Sequence, residues 1–88
     1  MSLTLWLSAN LSRLAKGTEG FEVDGETVGE CIDDLISIVT AIRDTIFLGS
    51  QLSPNVQVEV NKQGVDQEER LTKKVSDGDE IRVMYKGR

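Results

Sequence analysis

The chain has 88 residues, 39% of them hydrophobic, with 15 acidic against 10 basic side chains, one cysteine and no histidine. That length allows a single small domain, residues 1–88, with a modest core. A net charge of −5 argues against a nucleic-acid partner and for steering toward a basic protein surface. The lack of histidine removes the commonest general base and metal ligand, which weighs against a hydrolase or a transition-metal enzyme.

Leu3, Leu5 and Leu7 alternate with Thr4, Trp6 and Ser8, the period of a half-buried strand with its leucines inward. Asn10 to Gly17 reads as a short turn or helical turn closed by the glycine. Phe21 and Val23 flank Glu22 and predict a second strand. Asp24-Gly25 ends it, as glycine accepts positive φ cheaply. Thr27-Val-Gly-Glu30 is a capping box: the threonine accepts from the Glu30 N–H and Glu30 reaches back. Val28, Cys31, Ile32, Leu35, Ile36, Val39 and Ile42 then follow helical spacing as one apolar stripe. Asp33 and Asp34 in the early turns and Arg43 near the end suit the helix dipole.

Gly49 to Pro54 breaks the chain, and Ile46, Phe47 and Leu48 are expected to tuck under the sheet just before it. Val56, Val58 and Val60 alternate with Gln57 and Glu59 in a third strand. Residues 61–70 are polar and read as a loop with room for a short strand; Leu71 and Val75 are isolated anchors. Asp77-Gly78-Asp79 makes the last turn and Glu80 to Tyr85 the last strand. One amphipathic helix cannot bury its stripe alone, so it must lie across a mixed sheet. The first and last strands alternate most densely and are expected to be central and adjacent.

Side chains with chemical potential have plainer readings. Cys31 falls on the apolar stripe beside Glu30, Asp33 and Asp34, which points to a buried, inert thiol that makes no internal disulfide and fits a reducing cytoplasm. Consecutive helix positions diverge by about 100°, so Asp33 and Asp34 do not converge on a metal. Asp77 and Asp79 are explained by turn chemistry. Lys73-Lys74 is too short for a nucleic-acid patch. No cofactor or metal is called for. No apolar run approaches the roughly 20 residues of a membrane span, and no basic segment leads into an apolar one as in a signal peptide. Trp6 and Met84 face outward on neighbouring strands and form an apolar patch suited to docking, with Arg82 at its rim.

In this order, Val23-Asp-Gly-Glu-Thr-Val-Gly-Glu-Cys-Ile-Asp-Asp-Leu35, Pro54-Asn-Val-Gln-Val-Glu-Val-Asn61 and Val75-Ser-Asp-Gly-Asp-Glu-Ile81 resemble the sulfur-carrier (MoaD/ThiS-like) family of the β-grasp, ubiquitin-like fold. The first strand and the final turn are most similar to the molybdopterin synthase small subunit. The resemblance covers nearly the whole chain. It implies an α+β fold, a mixed sheet of four to five strands on one main helix. It also implies a carrier rather than an enzyme, whose terminal carboxylate is adenylated and then converted to a thiocarboxylate. The implied partners are an adenylating, ubiquitin-activating-type enzyme and a sulfur acceptor such as a molybdopterin synthase large subunit. No membrane or nucleic acid is involved. Gly87 is the implied modified terminus, and Trp6, Arg82, Met84 and Lys86 the partner-binding residues.

The family's tail is Gly-Gly, whereas this sequence reads Lys86-Gly87-Arg88. Three readings stay open: a peptidase removes Arg88 and exposes Gly87, the fold is kept and the chemistry lost, or the natural end is not carried by this sequence. The second amounts to a ubiquitin-like module that docks non-covalently.

Overall fold

The computed structural model describes residues 2–86. Strand β1 (Ser2–Leu7) buries Leu3, Leu5 and Leu7, as the alternation predicts. A short helix α1 (Ala9–Ser12) runs into one 3-10 turn, Arg13–Ala15, which reverses through Lys16 and Gly17, both at positive φ. Strand β2 (Gly20–Asp24) returns antiparallel to β1. Gly25 then leads into the main helix without positive φ, so turn geometry is not why glycine stands there. The reason is close packing: a Cβ at Gly25 would lie 2.8 Å from Glu30 Cβ and 2.9 Å from the Cys31 nitrogen.

Helix α2 (Val28–Ile38) is capped by Thr27, whose Oγ1 accepts from the Glu30 N–H at 3.1 Å. The reciprocal half lands one residue earlier than a capping box predicts, with the Glu26 N–H donating to Glu30 Oε1 at 2.8 Å. The continuous stripe to Ile42 is corrected. Val39 leaves the helix at φ −126°, ψ 82°, and a separate helix α3 (Ala41–Ile46) begins after Thr40. Ile38-Val39-Thr40 is a run of three β-branched residues, which lose rotamer freedom in a helix, and the Ser37 hydroxyl draws on the Asp34 carbonyl at 2.6 Å. The break re-aims the chain, so Ile42 and Ile46 enter the core from a new direction. Arg43 therefore sits in the last turn of α3, with its guanidinium 5.7 Å from the Phe47 ring, and does not serve the end of α2.

A small hairpin follows, β3 (Phe47–Leu48) with β4 (Gln51–Leu52). Phe47 is partly buried, but Leu48 is 65% exposed and not tucked under the sheet, because the hairpin turns it outward. Strand β5 (Val56–Val60) buries its three valines. It pairs with the two-residue β6 (Gln63–Gly64) through a tight turn in which Asn61 and Lys62 adopt positive φ. Another 3-10 turn (Gln67–Glu69) and an extended crossover lead to β7 (Glu80–Tyr85).

The five-stranded sheet has the order β2-β1-β7-β5-β6. β7 is its central strand, parallel to β1 and antiparallel to β5. The inner face, from Leu3, Leu5, Leu7, Val58, Val60, Ile81 and Val83, packs on Val28, Cys31, Ile32 and Leu35 of α2. Burial of each large aliphatic side chain contributes about 1.5–3 kcal/mol, which makes this two-layer contact the main source of stability.

Arg70 adds a polar knot. Only 7% exposed, it donates from Nε to the Gln67 carbonyl (3.0 Å), from Nη1 to those of Ser53 (2.7 Å) and Val56 (2.8 Å), and from Nη2 to that of Leu52 (3.2 Å). The crossover is also tied to the start of α2. The Val28 and Gly29 N–H groups donate to the carbonyls of Lys73 and Leu71, both at 2.9 Å.

Candidate functional site

Strand alternation puts Ser2, Thr4 and Trp6 of β1, Glu80, Arg82 and Met84 of β7, Gln57 and Glu59 of β5, and Gly20, Glu22 and Asp24 of β2 on the face away from the helices. Register arranges these residues in rows. Gly20, Trp6, Arg82 and Glu59 lie in one line across four strands. Glu22, Thr4 and Glu80 make the next, and Met84 pairs with Gln57 on the other side. Trp6 and Met84 thus share a face, but Arg82, not Met84, is the residue opposite Trp6. Parallel pairing of β1 and β7 sets this offset, and alternation alone does not reveal it. Both apolar side chains are half-buried, while Arg82 and Lys86 are exposed.

The indole owes its seat to Gly20. A Cβ there would lie 2.7 Å from Trp6 Cζ3 and 3.0 Å from Cε3, so the six-membered ring lies over the glycine backbone at the edge strand. Cross-strand packing of an aromatic on a glycine fixes its rotamer at small entropic cost. The sequence reading passed over Gly20 because register was needed to see it.

The last turn of β7 is clamped. The Ser8 N–H donates to the Val83 carbonyl (3.1 Å), and the Tyr85 N–H to Ser8 Oγ (3.3 Å). Asn10 Nδ2 donates to the Tyr85 carbonyl (2.8 Å), and the Lys86 N–H to that of Asn55 (2.8 Å). Ser8 precedes α1, Asn10 lies in its first turn and Asn55 stands just before β5; the sequence gave no sign that they meet the end of β7. The backbone is therefore held up to Lys86; Gly87, the implied modified residue, lies outside the described residues.

The other chemical candidates have structural jobs. Cys31 is fully buried, and its pKa is pushed up to about 11, first by burial and then by Asp24, Asp34 and Glu30. The acidic neighbours are thus Asp24, Asp34 and Glu30, and Asp33 is not among them. Asp34 Oδ2 accepts from the Asp24 N–H (2.9 Å), and Asp77 Oδ1 from the Ser2 N–H (2.7 Å). Asp79 accepts from the Ser76 N–H (2.8 Å) and Asn61 Nδ2 (3.1 Å), which hold its carboxyl below the usual range. Among the described residues no group of three His, Cys, Asp or Glu is placed to hold a metal ion, and no helix is long and apolar enough to cross a membrane.

A mixed sheet with β7 between a parallel β1 and an antiparallel β5, wrapped on one main helix, is the β-grasp, ubiquitin-like fold. The family model described as the ThiS family matches residues 5–85, and the chain belongs to that family, the sulfur-carrier branch of the fold. Solved structures agree. A chain of the Amycolatopsis orientalis BexX/CysO complex is 27% identical, with 98% of this chain and 97% of that one covered at a TM-score of 0.87. The small archaeal modifier SAMP1 from Haloferax volcanii is 24% identical (99% and 97% covered, TM-score 0.86). Mycobacterium tuberculosis CysO, described as an antigen, is 23% identical (97% and 99% covered, TM-score 0.83). No curated protein matches the sequence.

Proposed function

We propose that this protein is a sulfur carrier of the whole-chain β-grasp type, acting through its C-terminal end and not as an enzyme. An adenylating enzyme binds the outer sheet face. The carboxylate of Gly87, freed by removal of Arg88, attacks the α-phosphorus of ATP and pyrophosphate leaves. Hydrosulfide then attacks the acyl carbon, AMP leaves and the product loses a proton to become the thiocarboxylate, which gives its sulfur to an acceptor of the molybdopterin synthase large-subunit kind. Trp6, Arg82, Met84 and Lys86 make the contacts that bring the tail into the enzyme's cleft.

The observation that carries this reading is the setting of β7 in a ThiS-family chain. β7 is the central strand, bonded on both sides and clamped to Lys86, so a body docked by its sheet holds the origin of the tail at a fixed point. Glycine suits the end because a Cβ would obstruct close approach of backbone to nucleotide.

Intact-mass spectrometry of the protein purified from its native cell tests the proposal. Loss of one arginine residue together with exchange of one oxygen for sulfur supports it. An intact Arg88 with no sulfur under sulfur-demanding growth refutes carriage and leaves a non-covalent docking module, which the exposed Arg82 and the seated Trp6 would still serve.

A further inference from the structure

We propose that the outer sheet face accepts its partner in one orientation, set by a charge gradient along the strands. The partner lays a basic segment over the end of the face remote from Lys86. This deepens the docking reading above and rests on it.

The gradient follows from register. Because β1 and β7 are parallel, the starts of both strands lie at the same end. There the row Glu22–Thr4–Glu80 puts one carboxylate on each side of a threonine. Adjacent strands are about 4.8 Å apart, so a cationic head over Thr4 lies about 5 Å from both acidic strand positions. The next row holds the apolar anchor Trp6, then Arg82 and Glu59; beyond it come Met84 and Gln57, and then Lys86. The face thus runs from anionic, through two rows of no net charge that hold Trp6 and Met84, to cationic along one direction.

The charges of the Glu22 and Arg82 rows are largely unspent among the described residues. Arg82, Glu59 and Glu80 make no side-chain hydrogen bond or ion pair among the described residues, although Arg82 and Glu59 are register partners. Glu22 accepts a single bond, from Ser2 Oγ at 2.6 Å. By contrast Asp77 and Asp79 at the same end are consumed by the turn. Charge complementarity therefore selects a basic occupant for the remote end, with an acceptor group for Arg82 at the centre. An acidic or neutral peptide would leave Glu22 and Glu80 facing like charge or none.

The test is titration calorimetry of the full-length chain with the adenylating enzyme of the same cell, without ATP, at about 0.05 M and about 0.3 M salt. The double reversal Glu22→Lys/Glu80→Lys is expected to weaken binding at low salt by about tenfold or more and to flatten the salt dependence. The control Asp33→Lys/Asp44→Lys makes the same charge change on exposed positions of the helical layer and is expected to stay within about twofold. Unchanged Trp6 fluorescence and circular dichroism establish that both variants are folded. Equal weakening by both pairs, or none by the first, overturns the gradient. ATP–pyrophosphate exchange separates this from the carrier reading. A wild-type chain that is activated, but whose sheet reversal binds unchanged, sinks the gradient alone. One that binds with the expected salt dependence and is never activated sinks the carrier reading alone. A wild type that does not bind the enzyme overturns both.

Discussion

Replacing Arg70 by methionine probes the least expected feature of the fold. Methionine replaces the aliphatic stem but ends near the Nε position, so it removes the donors to four carbonyls, three of them in buried bonds. An unsatisfied buried acceptor costs about 1–3 kcal/mol. Relief of the guanidinium's desolvation and partial water entry offset some of this, so the expected net loss is about 3–4 kcal/mol. For a chain of this size total stability is about 5–13 kcal/mol, so the urea midpoint should fall by roughly a quarter to four fifths. Unfolding is followed by the fluorescence of the only tryptophan, Trp6. Arg70→Lys should fall between, because one ammonium cannot reach all four oxygens. Amide exchange should quicken first around residues 51–56. A midpoint shift worth less than about 1 kcal/mol would mean that water serves these carbonyls as well as the guanidinium does.

Three further expectations follow the same logic. Gly29→Ala gains about 1 kcal/mol of helix propensity but puts a Cβ 2.8 Å from the Leu71 carbonyl, so crowding wins and thermal denaturation should show a net loss of about 1 kcal/mol; a raised melting temperature would contradict the contact. Cys31 should resist an aromatic disulfide reagent at neutral pH and react fully in denaturant; rapid labelling of the folded protein would refute its burial. Asp79 is depressed below its ordinary 3.8 by the Ser76 N–H, Asn61 and Lys73, so it contributes stability that is complete above that value and is lost below it, as pH falls through the lowered folded-state value. Asp79→Asn should flatten the acid limb of a urea-midpoint-against-pH curve, and an unchanged limb would dismiss the assignment.

Period-two alternation located all the long strands, since Leu3-Leu5-Leu7 and Val56-Val58-Val60 each have one face to bury. Thr27 marked the start of α2 because its hydroxyl has one evident N–H to accept. The break at Val39 was hidden, because the apolar spacing runs through it unbroken and β-branching is only a weak signal. Arg70 looked like one more charge in a polar stretch; its burial depends on carbonyls supplied from positions 14 to 18 residues away. The outward setting of Trp6 and Met84 was legible for the same reason as the strands. That Arg82 stands opposite Trp6, and that Gly20 floors the indole, depended on which strands pair and in what register. Such knowledge comes from the closed sheet and not from any one segment.

The middle of the sheet joins the first strand to the last. On a ribosome, β1 emerges well before the neighbour it pairs with, and β5 likewise waits for the partner that covers its inner edge. Nascent chains are therefore left with open ladders beside the hydrophobic leucines until β7 has emerged, a period in which chaperones have something to hold. Truncation into Glu80–Tyr85 would strip ladder bonds from both neighbours of the keystone strand, so the proposed trimming has little margin before it costs the fold.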